Sequence, residues 1–558
     1  MDETQLINSI DNLISDIKAC IRAAGINNDS SEFQIVTEIF LYKFLNDKLR
    51  YELKKISPRL ASARSFDSEL NCLSQDEFES LTDQLDPDTA VINRDQTISF
   101  LYQNREYRDD DGNDFAWLLD ETLIKIANAN ADIFSVSTGS KDRIKLFEGV
   151  CRNIIDTEKR NGFAKAVIGK LVNAQNFEAV FEEKYDFFST IFEHLISEYN
   201  SNGGGVNAEY YTPKSIAQII GRILVRNPVQ NVEVYDPTAG SGTLLMAIAH
   251  QIGEDRCTIY SQDLTQKSVK LLRLNLILNS LTHSLPNVKQ ADILLSPQFT
   301  NEAGNNLREF DFIVSNPPFK VDFSEAREEC VNDPYIKKDG HKRYFAGVPK
   351  VPAQDKKKMP IYLLVLQHII FSLKENGKAG IVVPTKFLDW TNSIARTIRK
   401  YLVDNHFLRA VVCMPSNVFA NTGTNVSVIF VDKENLSNEV LLFDASKMGT
   451  QETISINEKK VKKTVLSEAD EECIVKTINE RQVREFESIL IDTATIADRN
   501  YSLVAGQYFN VKIEYEELTE DEFNERIREF ETMLADSMSR SEALNRQVLE
   551  EMRAIKHG

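Results

Sequence analysis

The chain has 558 residues, of which 42% are hydrophobic, and carries a formal net charge of −19 at pH 7. This length suits about three to five domains, and the apolar content excludes a globally disordered protein. The acidic balance does not exclude DNA binding, because local patches matter more than the total charge. It favours a hold on DNA that comes from a partner or from one basic channel, and ordinary acidic solubility explains the charge at least as well.

Features of cellular location and redox environment are few. The seven cysteines include no C-x-x-C pair and their number is odd, which argues against a zinc ribbon and a disulfide framework. The first residues, Met1 to Thr4, lack the basic and apolar regions of a signal peptide. No apolar run reaches the roughly 18–20 residues of a membrane helix. We therefore expect a cytoplasmic protein without a membrane association.

Residues 1–200 are predicted to form a helical N-terminal domain. Apolar side chains recur at helical spacing from Gln34 to Tyr51, whereas the polar run Arg105–Asp114 is expected to be a solvated loop. The glycine-rich segment Asn200–Gly205 has the composition of a flexible linker and marks the predicted boundary.

Residues 206–435 show a different pattern, in which short β-branched runs alternate with helical segments. This alternation predicts an α/β fold with a doubly wound, mostly parallel sheet of Rossmann-like type that ends near residue 433. The polar stretch 320–358, which carries Lys356-Lys357-Lys358, is expected to be an excursion outside the core. The predicted strands are Val232–Tyr235, Thr258–Ser261, Phe310–Ser315, Ala379–Val383, Leu408–Cys413 and Val426–Val431.

The rest of the chain is predicted to be a mixed extension, 436–515, followed by a long helix over 518–556. Thr519 and Glu522 have the spacing of a capping box at the start of this helix. An apolar seam runs along it, formed by Phe523, Ile527, Phe530, Leu534, Leu544, Val548 and Ile555. Packing on its own domain would explain such a seam, and docking to a partner helix would explain it at least as well.

The first chemistry-bearing motif follows the predicted strand Val232–Tyr235. Asp236 precedes a tight turn, and the strand–turn–helix setting is where an open α/β sheet binds ligands. The motif is neither a P-loop nor a G-x-G-x-x-G fingerprint. An acidic residue before the turn suits a cationic ligand such as the amino-acid part and sulfonium of S-adenosylmethionine, although a purely structural corner is the alternative. The turn residues are Thr238, Ala239, Gly240, Ser241 and Gly242.

Two further carboxylates follow the next segments of the predicted sheet. Asp263 lies just after the strand Thr258–Ser261, where a carboxylate can accept both ribose hydroxyls of a nucleoside. Asp292 follows the segment Pro286–Ala291 and is predicted to reach the adenine amino group of the cofactor. Each residue taken alone also fits an ordinary surface carboxylate.

The second motif is the tetrapeptide Asn316-Pro317-Pro318-Phe319, directly after the strand Phe310–Ser315. Two prolines fix the backbone and remove two N–H donors, but their carbonyl groups remain acceptors. The Asn316 side-chain oxygen and the Pro317 carbonyl are therefore predicted to accept two hydrogen bonds from one –NH₂ group. Phe319 offers a ring on which an unstacked base can lie. The motif predicts methylation of an exocyclic amino group.

Two other chemistries are disfavoured. Methylation at cytosine C5 needs a cysteine nucleophile after a proline, whereas Cys413 precedes Met414-Pro415. Metal-dependent nuclease chemistry needs clustered ligands, and the seven histidines are scattered.

The order of the motifs resembles that of the modification (M) subunit of Type I restriction–modification systems, a γ-class N6-adenine DNA methyltransferase. Before the Asp236 turn stands Glu209-Tyr210-Tyr211-Thr212-Pro213, similar to an aromatic-aromatic-Thr-Pro motif, and the resemblance implies that Tyr211, Thr212 and Pro213 touch the cofactor. Further similar stretches are Glu32–Leu49, Arg343–Pro349, Leu366–Ile369, Ala379–Pro384 and Met414-Pro415 with Phe419. The sequence departs from the family at Asp263 (Glu in many relatives), at Tyr210 and Tyr211 (often Phe), and in an insertion around 85–115.

The resemblance implies S-adenosyl-L-methionine as cofactor and a flipped-out DNA adenine as substrate. It also implies partners: a specificity (S) subunit docked on the C-terminal helix, a second M subunit and, in some assemblies, a restriction (R) subunit. About 125 residues follow position 433, which leaves little room for a separate target-reading domain. Two alternatives remain open: an amino-group methyltransferase acting on RNA or a protein amide, and a catalytically silent scaffold that holds cofactor.

Overall fold

The computed structural model describes residues 3–26, 29–85, 89–131, 136–137, 143–144, 147–178, 181, 212–419, 424–456, 459–509 and 519–555. The chain divides into two compact units, Met1–Tyr508 and Phe509–Gly558. The predicted linker Asn200–Gly205 and the motif residues Glu209, Tyr210 and Tyr211 lie outside the described residues.

The N-terminal part of the first unit is helical, as predicted. Helix α8 packs against α1, α6 and α7, and Phe40, Phe115 and Phe147 are fully buried. The polar run Arg105–Asp114 is a loop bridged at its ends by Arg108 and Asp114. The elements are α1 Glu3–Ala23, α2 Asp29–Ile56, α3 Pro58–Ala61, α4 Phe66–Cys72, α5 Gln75–Thr82, α6 Ile98–Gln103, α7 Phe115–Ala129, strands β1 Val136–Ser137 and β2 Arg143–Ile144, and α8 Thr157–Asn173.

The remaining described residues of the first unit form an α/β arrangement. Its helices are α9 Lys214–Leu224, α10 Thr243–Ile252, α11 Gln266–Leu278, α12 Arg327–Val331, α13 Tyr362–Ser372, α14 Ser393–Asp404, α15 Glu468–Asn479 and α16 Thr493–Asp498. Its strands are β3 Val232–Asp236, β4 Cys257–Asp263, β5 Val288–Gln290, β6 Phe310–Ser315, β7 Leu373–Pro384, β8 Leu408–Cys413, β9 Val426–Asp432, β10 Glu439–Asp444, β11 Thr450–Ile456, β12 Lys459–Val465 and β13 Ser488–Asp492.

Nine of these strands form one sheet in the order β13-β10-β8-β9-β7-β6-β3-β4-β5. Only β9 and β13 run antiparallel to the rest, so the carboxyl ends of seven strands meet at one edge. All six strands predicted from the sequence are confirmed. Because ligands of open α/β sheets bind beyond the carboxyl ends, this edge is where a site is expected.

The expectation that the sheet ends near residue 433 is wrong. Strands β10 and β13, both from the predicted mixed extension, add to the sheet beside β8. Residues Val440 to Phe443 are fully buried there, although charged segments flank them in the sequence. Burial between a neighbouring strand and covering elements, rather than a long apolar run, places this short segment in the sheet.

The stretch 320–358 is also not an excursion outside the core. It folds over the sheet and contributes to a second hydrophobic cluster, in which Phe323, Cys330, Tyr344 and Met359 pack with Ile293, Leu294, Ile361 and Leu364. Its polar residues concealed this cluster in the sequence, because the buried positions follow neither a helical nor a strand period.

Among the described residues of the second unit, Glu520–Ile555 form helix α17. Its predicted capping box is confirmed: the Glu522 carboxylate accepts a hydrogen bond from the Thr519 amide at 2.9 Å, and the Thr519 hydroxyl accepts one from the Glu522 amide at 3.4 Å. The seam side chains from Phe523 to Val548 are exposed. In the described part of the chain, no helix combines the length and apolarity that a membrane crossing requires.

Candidate active site

The two sequence motifs meet at the carboxyl edge of the sheet. Strands β3 and β6 are parallel neighbours with Tyr235 opposite Ile313, so Asp236 and Asn316 leave the sheet side by side. The hydroxyl groups of Thr238 and Ser315 are hydrogen-bonded at 2.7 Å. This bond joins the glycine turn directly to the strand residue that precedes the tetrapeptide.

Two backbone amides of the glycine turn donate hydrogen bonds to the end of β4. The Ala239 amide donates to the Gln262 carbonyl of β4 at 3.1 Å, and the Gly240 amide donates to the Asp263 carboxylate at 2.9 Å. Gly242 has φ +83 and begins α10 as its N-terminal cap. The turn therefore needs glycine where the chain passes from strand to helix.

Replacing Gly242 by alanine is expected to destabilise the turn. Its φ is unfavourable for other residues, which costs about 1–3 kcal/mol, and the added Cβ would collide with Leu272 Cδ1, which adds about 1–3 kcal/mol of overpacking. Urea denaturation measures the loss. Gly304→Ala is the matched control, because Gly304 also has positive φ but no heavy atom near the added Cβ. Equal losses in both variants would show that the collision has no part.

Asp236 is a buried carboxylate at the base of the turn. It accepts a hydrogen bond from the Thr238 amide at 2.9 Å. Burial raises its pKa to about 8, and the nearby negative charge of Asp263 acts in the same direction. A carboxyl group whose pKa rises on folding favours the folded state below its unfolded pKa and loses that contribution as pH rises through about 8. The Asp236 carboxyl group therefore holds its proton to a higher pH than usual, and a bound cation would favour its ionised form.

Asp263 and Asp292 lie at neighbouring strand ends, because the Ala291 amide donates to the Asp263 carbonyl at 3.0 Å. Asp263 accepts from the Thr265 amide at 2.9 Å, and Asp292 accepts from the Leu294 amide at 2.8 Å. The carboxylate of the first motif, Asp236, and these two further carboxylates thus line one edge of the sheet. None of the three is oriented by a lysine or arginine in the ion pairs of the described residues.

Two apolar side chains beside these carboxylates were missed in the sequence. Leu264 follows Asp263 and is 62% exposed, and Leu295 lies close after Asp292 and is 49% exposed. Large aliphatic side chains left in water beside polar groups suit the faces of a planar ring. A leucine within three positions after a strand-end aspartate could have indicated these side chains. Hydrophobic periodicity does not separate such an exposed leucine from a buried core residue.

Thr212 lies against the tetrapeptide. The Asn316 side-chain nitrogen donates to the Thr212 hydroxyl at 3.2 Å, and both residues are buried. Pro213 follows as the N-terminal cap of α9, whereas Tyr211 lies outside the described residues. The bond assigns the amide nitrogen of Asn316 to the protein and leaves its oxygen as the acceptor for a substrate.

The acceptor atoms of the tetrapeptide have no competing donor in the part of the chain that the structure describes. Neither the Asn316 side-chain oxygen nor the Pro317 carbonyl accepts a hydrogen bond there. Phe319, after Pro318, is half-buried, and its ring lies edge-on to Tyr362 at 6.2 Å between centroids. The arrangement can accept two hydrogen bonds beside an aromatic surface.

Three buried polar side chains next to the site are connected by hydrogen bonds. The Tyr235 hydroxyl is 3.2 Å from Nε2 of His368, and Nδ1 of His368 accepts from Arg343 at 3.2 Å. Burial, followed by the positive charge of Arg343, lowers the pKa of His368 well below its usual value, so this histidine is neutral. Arg343 and His368 had no predicted role beyond lying in family-like stretches.

Two further observations concern the chemistries that the sequence disfavours. Burial raises the pKa of Cys413 to about 11, which keeps it a thiol rather than a nucleophilic thiolate. Among the described residues, no group of three or more His, Cys, Asp or Glu side chains could hold a metal ion.

Comparison with known proteins places the chain in a family. The family model described as N-6 DNA Methylase matches residues 183–517, and the chain belongs to this family. A Type I restriction enzyme MpnII methylase subunit from Mycoplasma pneumoniae is 28% identical over 351 residues, covering 62% of this chain and 61% of that protein. The MjaIX methylase subunit from Methanocaldococcus jannaschii is 25% identical over 386 residues, covering 66% and 63%.

A solved structure supports the fold. The methyltransferase subunit of a type I restriction–modification system from Streptococcus thermophilus superposes with a TM-score of 0.69 at 21% identity, covering 91% of this chain and all of that one. The chain spans about three-fifths of the length of these two curated relatives, and it shares its fold with the solved structure.

Proposed function

We propose that this chain transfers a methyl group from S-adenosylmethionine to the N6 amino group of an adenine flipped out of duplex DNA, as the methylation subunit of a Type I restriction–modification system. The observation that carries this proposal is the 2.7 Å hydrogen bond between Thr238 and Ser315. It brings the glycine turn and the Asn316 acceptor into one site, and a direct transfer between two bound molecules requires such proximity.

The residues at the turn fit the proposed methyl donor. Asp236 provides negative charge for an ammonium and a sulfonium once a bound cation favours its ionised form, and Asp263 and Asp292 follow neighbouring strands as a ribose and an adenine amino group would require. Leu264 and Leu295 offer apolar surface for the adenine ring. S-adenosylmethionine supplies an electrophilic methyl group on a sulfonium when it is bound.

The tetrapeptide prepares the substrate nitrogen. Asn316 and Pro317 accept the two N–H groups of the exocyclic amine, which directs its lone pair toward the methyl group. The new N–C bond forms as the C–S bond breaks, and the amine, now cationic, then releases a proton to solvent. No strong base is needed, because the proton leaves only after the nitrogen has become acidic. Phe319 holds the flipped base by ring contact.

The affinity for S-adenosylmethionine is expected to rise with pH between about 6 and 8. A cation binds the ionised form of Asp236, whose pKa is raised to about 8 in the free protein, so binding releases a proton. The slope is at most about tenfold per pH unit. Calorimetric titration at several pH values measures it. The amino group of the ligand also titrates, so the pH dependence of the affinity is compared with that of Asp236→Asn. The difference between the two proteins reports the Asp236 carboxylate alone. A pH-independent difference would contradict the assignment.

The partners follow from the same proposal. Helix α17 leaves an apolar seam exposed, including Phe530 and Leu534, and relatives carry the name of methylase subunits of Type I restriction enzymes. We assign this seam to an S subunit, with a second M subunit and, where restriction occurs, an R subunit completing the assembly. Phe530→Asp/Leu534→Asp is expected to abolish co-purification with an S-like protein, whereas Glu529→Gln/Glu531→Gln on the same helix should retain it.

Methylation of DNA from cells that express the chain tests the reaction itself. Mass spectrometry of digested DNA and RNA measures N6-methyladenine in each pool, with and without a co-expressed S-like protein. Methyl transfer to DNA is the expected result. Transfer confined to RNA or to protein would refute the proposed substrate, and cofactor binding without any transfer would identify a silent scaffold.

A further inference from the structure

Five exposed lysines lie on segments that border Phe319 directly or through one or two contacts, in a chain whose net charge is −19. They come from three separate segments at the carboxyl edge of the sheet. We call them the lysine rim: Lys320, Lys356, Lys357, Lys358 and Lys386.

Local contacts place the rim beside the tetrapeptide. Lys320 follows Phe319, and the Val321 amide donates to the Met359 carbonyl at 3.1 Å, which brings the three-lysine turn alongside. Chain geometry then limits the distance between the Cα atoms of Phe319 and Lys358 to about 17 Å.

The third segment reaches the same place through aromatic contacts. Lys386 precedes Phe387, whose ring is 6.1 Å from that of Tyr362, and Tyr362 in turn contacts Phe319. Lys386 itself lies over the Trp390 ring at 5.2 Å. The three rings thus connect all segments of the rim.

The charge of the rim is only partly compensated. Lys358 pairs with Asp355 at 3.2 Å. Lys356 and Lys357 form no ion pair with any residue that the structure describes. The pKa of Asp322 is lowered by hydrogen bonds from Ser324 and, to a smaller extent, by the positive charges of these two lysines. Residues 320–358 contain ten lysines and arginines against seven acidic residues, so this segment is positive while the whole chain is acidic.

We propose that the lysine rim binds the backbone phosphates that flank the target adenine, so that DNA is held on this face by the chain itself. This inference rests on the proposed function, because the base lies on Phe319 only if DNA is the substrate. Duplex DNA carries one negative charge per about 1.7 Å of axis. A reach of about 17 Å spans half a helical turn, so flanking phosphates on either side of a flipped base lie within it.

Salt-dependent binding tests the rim. A fluorescein-labelled DNA duplex is titrated with the full chain between about 50 and 200 mM salt, and anisotropy reports the dissociation constant. Lys356→Gln/Lys357→Gln is expected to weaken binding about tenfold and to reduce the slope of log K against log salt by about two, one for each lost phosphate contact.

A matched variant controls for the loss of two charges. Lys400→Gln/Lys476→Gln removes two exposed lysines near the ends of α14 and α15, toward the opposite edge of the sheet, and should leave the slope unchanged. Equal effects of the two variants, or no measurable binding of the unmodified chain at about 50 mM salt, would overturn the proposal.

Turnover separates this proposal from the proposed function. In the rim variant, KM for DNA should rise about tenfold while kcat is retained. If the unmodified chain methylates DNA and the rim variant has the same affinity, KM and kcat, the rim proposal is wrong and the proposed methyltransferase function is retained. If the unmodified chain methylates no DNA but the rim variant still loses salt-dependent DNA binding, the methylation proposal is wrong and the lysine rim remains a DNA-binding surface.

Discussion

Asn316→Ala is expected to lower the rate of methyl transfer by about 10²–10³-fold or more, while the affinity for S-adenosylmethionine stays within a few-fold. We propose the side-chain oxygen of Asn316 as the acceptor that orients the substrate amine, because the side-chain nitrogen already donates to the Thr212 hydroxyl at 3.2 Å. Removing it leaves the glycine turn and its carboxylates intact. Single-turnover methylation and calorimetric titration with S-adenosylmethionine measure the two quantities.

Two further variants sharpen this test. Asn316→Asp retains an acceptor oxygen that Thr212 can still reach, so it should lose less activity than alanine does. Asn305→Ala removes an exposed loop amide and should change neither quantity. Unaltered transfer by Asn316→Ala, or a parallel loss of S-adenosylmethionine binding and transfer, would remove Asn316 from the acceptor role.

Arg343→Met is expected to lower the free energy of unfolding by about 3–5 kcal/mol, because it breaks a buried charge pair at one partner. Arg343 is fully buried. Its guanidinium pairs with Asp333 at 3.0 Å and donates to the carbonyl groups of Leu294 and Ile293. A methionine of similar length fills the space but satisfies none of these groups. Urea denaturation followed by circular dichroism measures the change.

The pH dependence of this loss has a definite sign. Burial raises the pKa of Asp333, and the positive charge of Arg343 opposes that shift. Without Arg343 the pKa of Asp333 rises further, so the variant loses more stability as pH increases above the usual carboxyl range. Lys342→Met, at the exposed neighbouring position, is the control and should unfold like the unmodified chain. A destabilisation equal to that of the control would show that the buried contacts of Arg343 contribute nothing.

The same contacts give Arg343→Met a functional consequence. Ile293 and Leu294 follow Asp292, so Arg343 fixes the backbone beside a proposed adenine-binding carboxylate. S-adenosylmethionine binding should weaken in this variant even under conditions where it remains folded. The segment 320–358 therefore connects the proposed cofactor side of the site to the lysine rim.

Local sequence was sufficient to predict much of this molecule. The β-branched runs at Phe310–Ser315 and Leu408–Cys413 became strands over those residues, because period and flanking turns are encoded within a few positions. The capping box at Thr519 began a helix as its hydrogen-bonding groups require. The strand-end positions of Asp236 and Asn316 followed from these strands and from the rule that ligands bind at carboxyl ends.

Contacts between distant segments were decided only by the tertiary structure. The Thr212–Asn316 bond spans 104 positions. Strand β10 joins the sheet beside β8, and β13 pairs with β10. Arg343 lies in a polar stretch of the sequence, yet it is buried against the carbonyl groups of Ile293 and Leu294. None of these has a local period, because each depends on which surfaces meet once the sheet has formed. The sequence alone was sufficient to predict which residues would carry the proposed amino-group chemistry. The tertiary structure decided what orients Asn316 and which lysines lie on segments bordering Phe319, since hydrogen bonds and charge proximity act through space rather than along the chain.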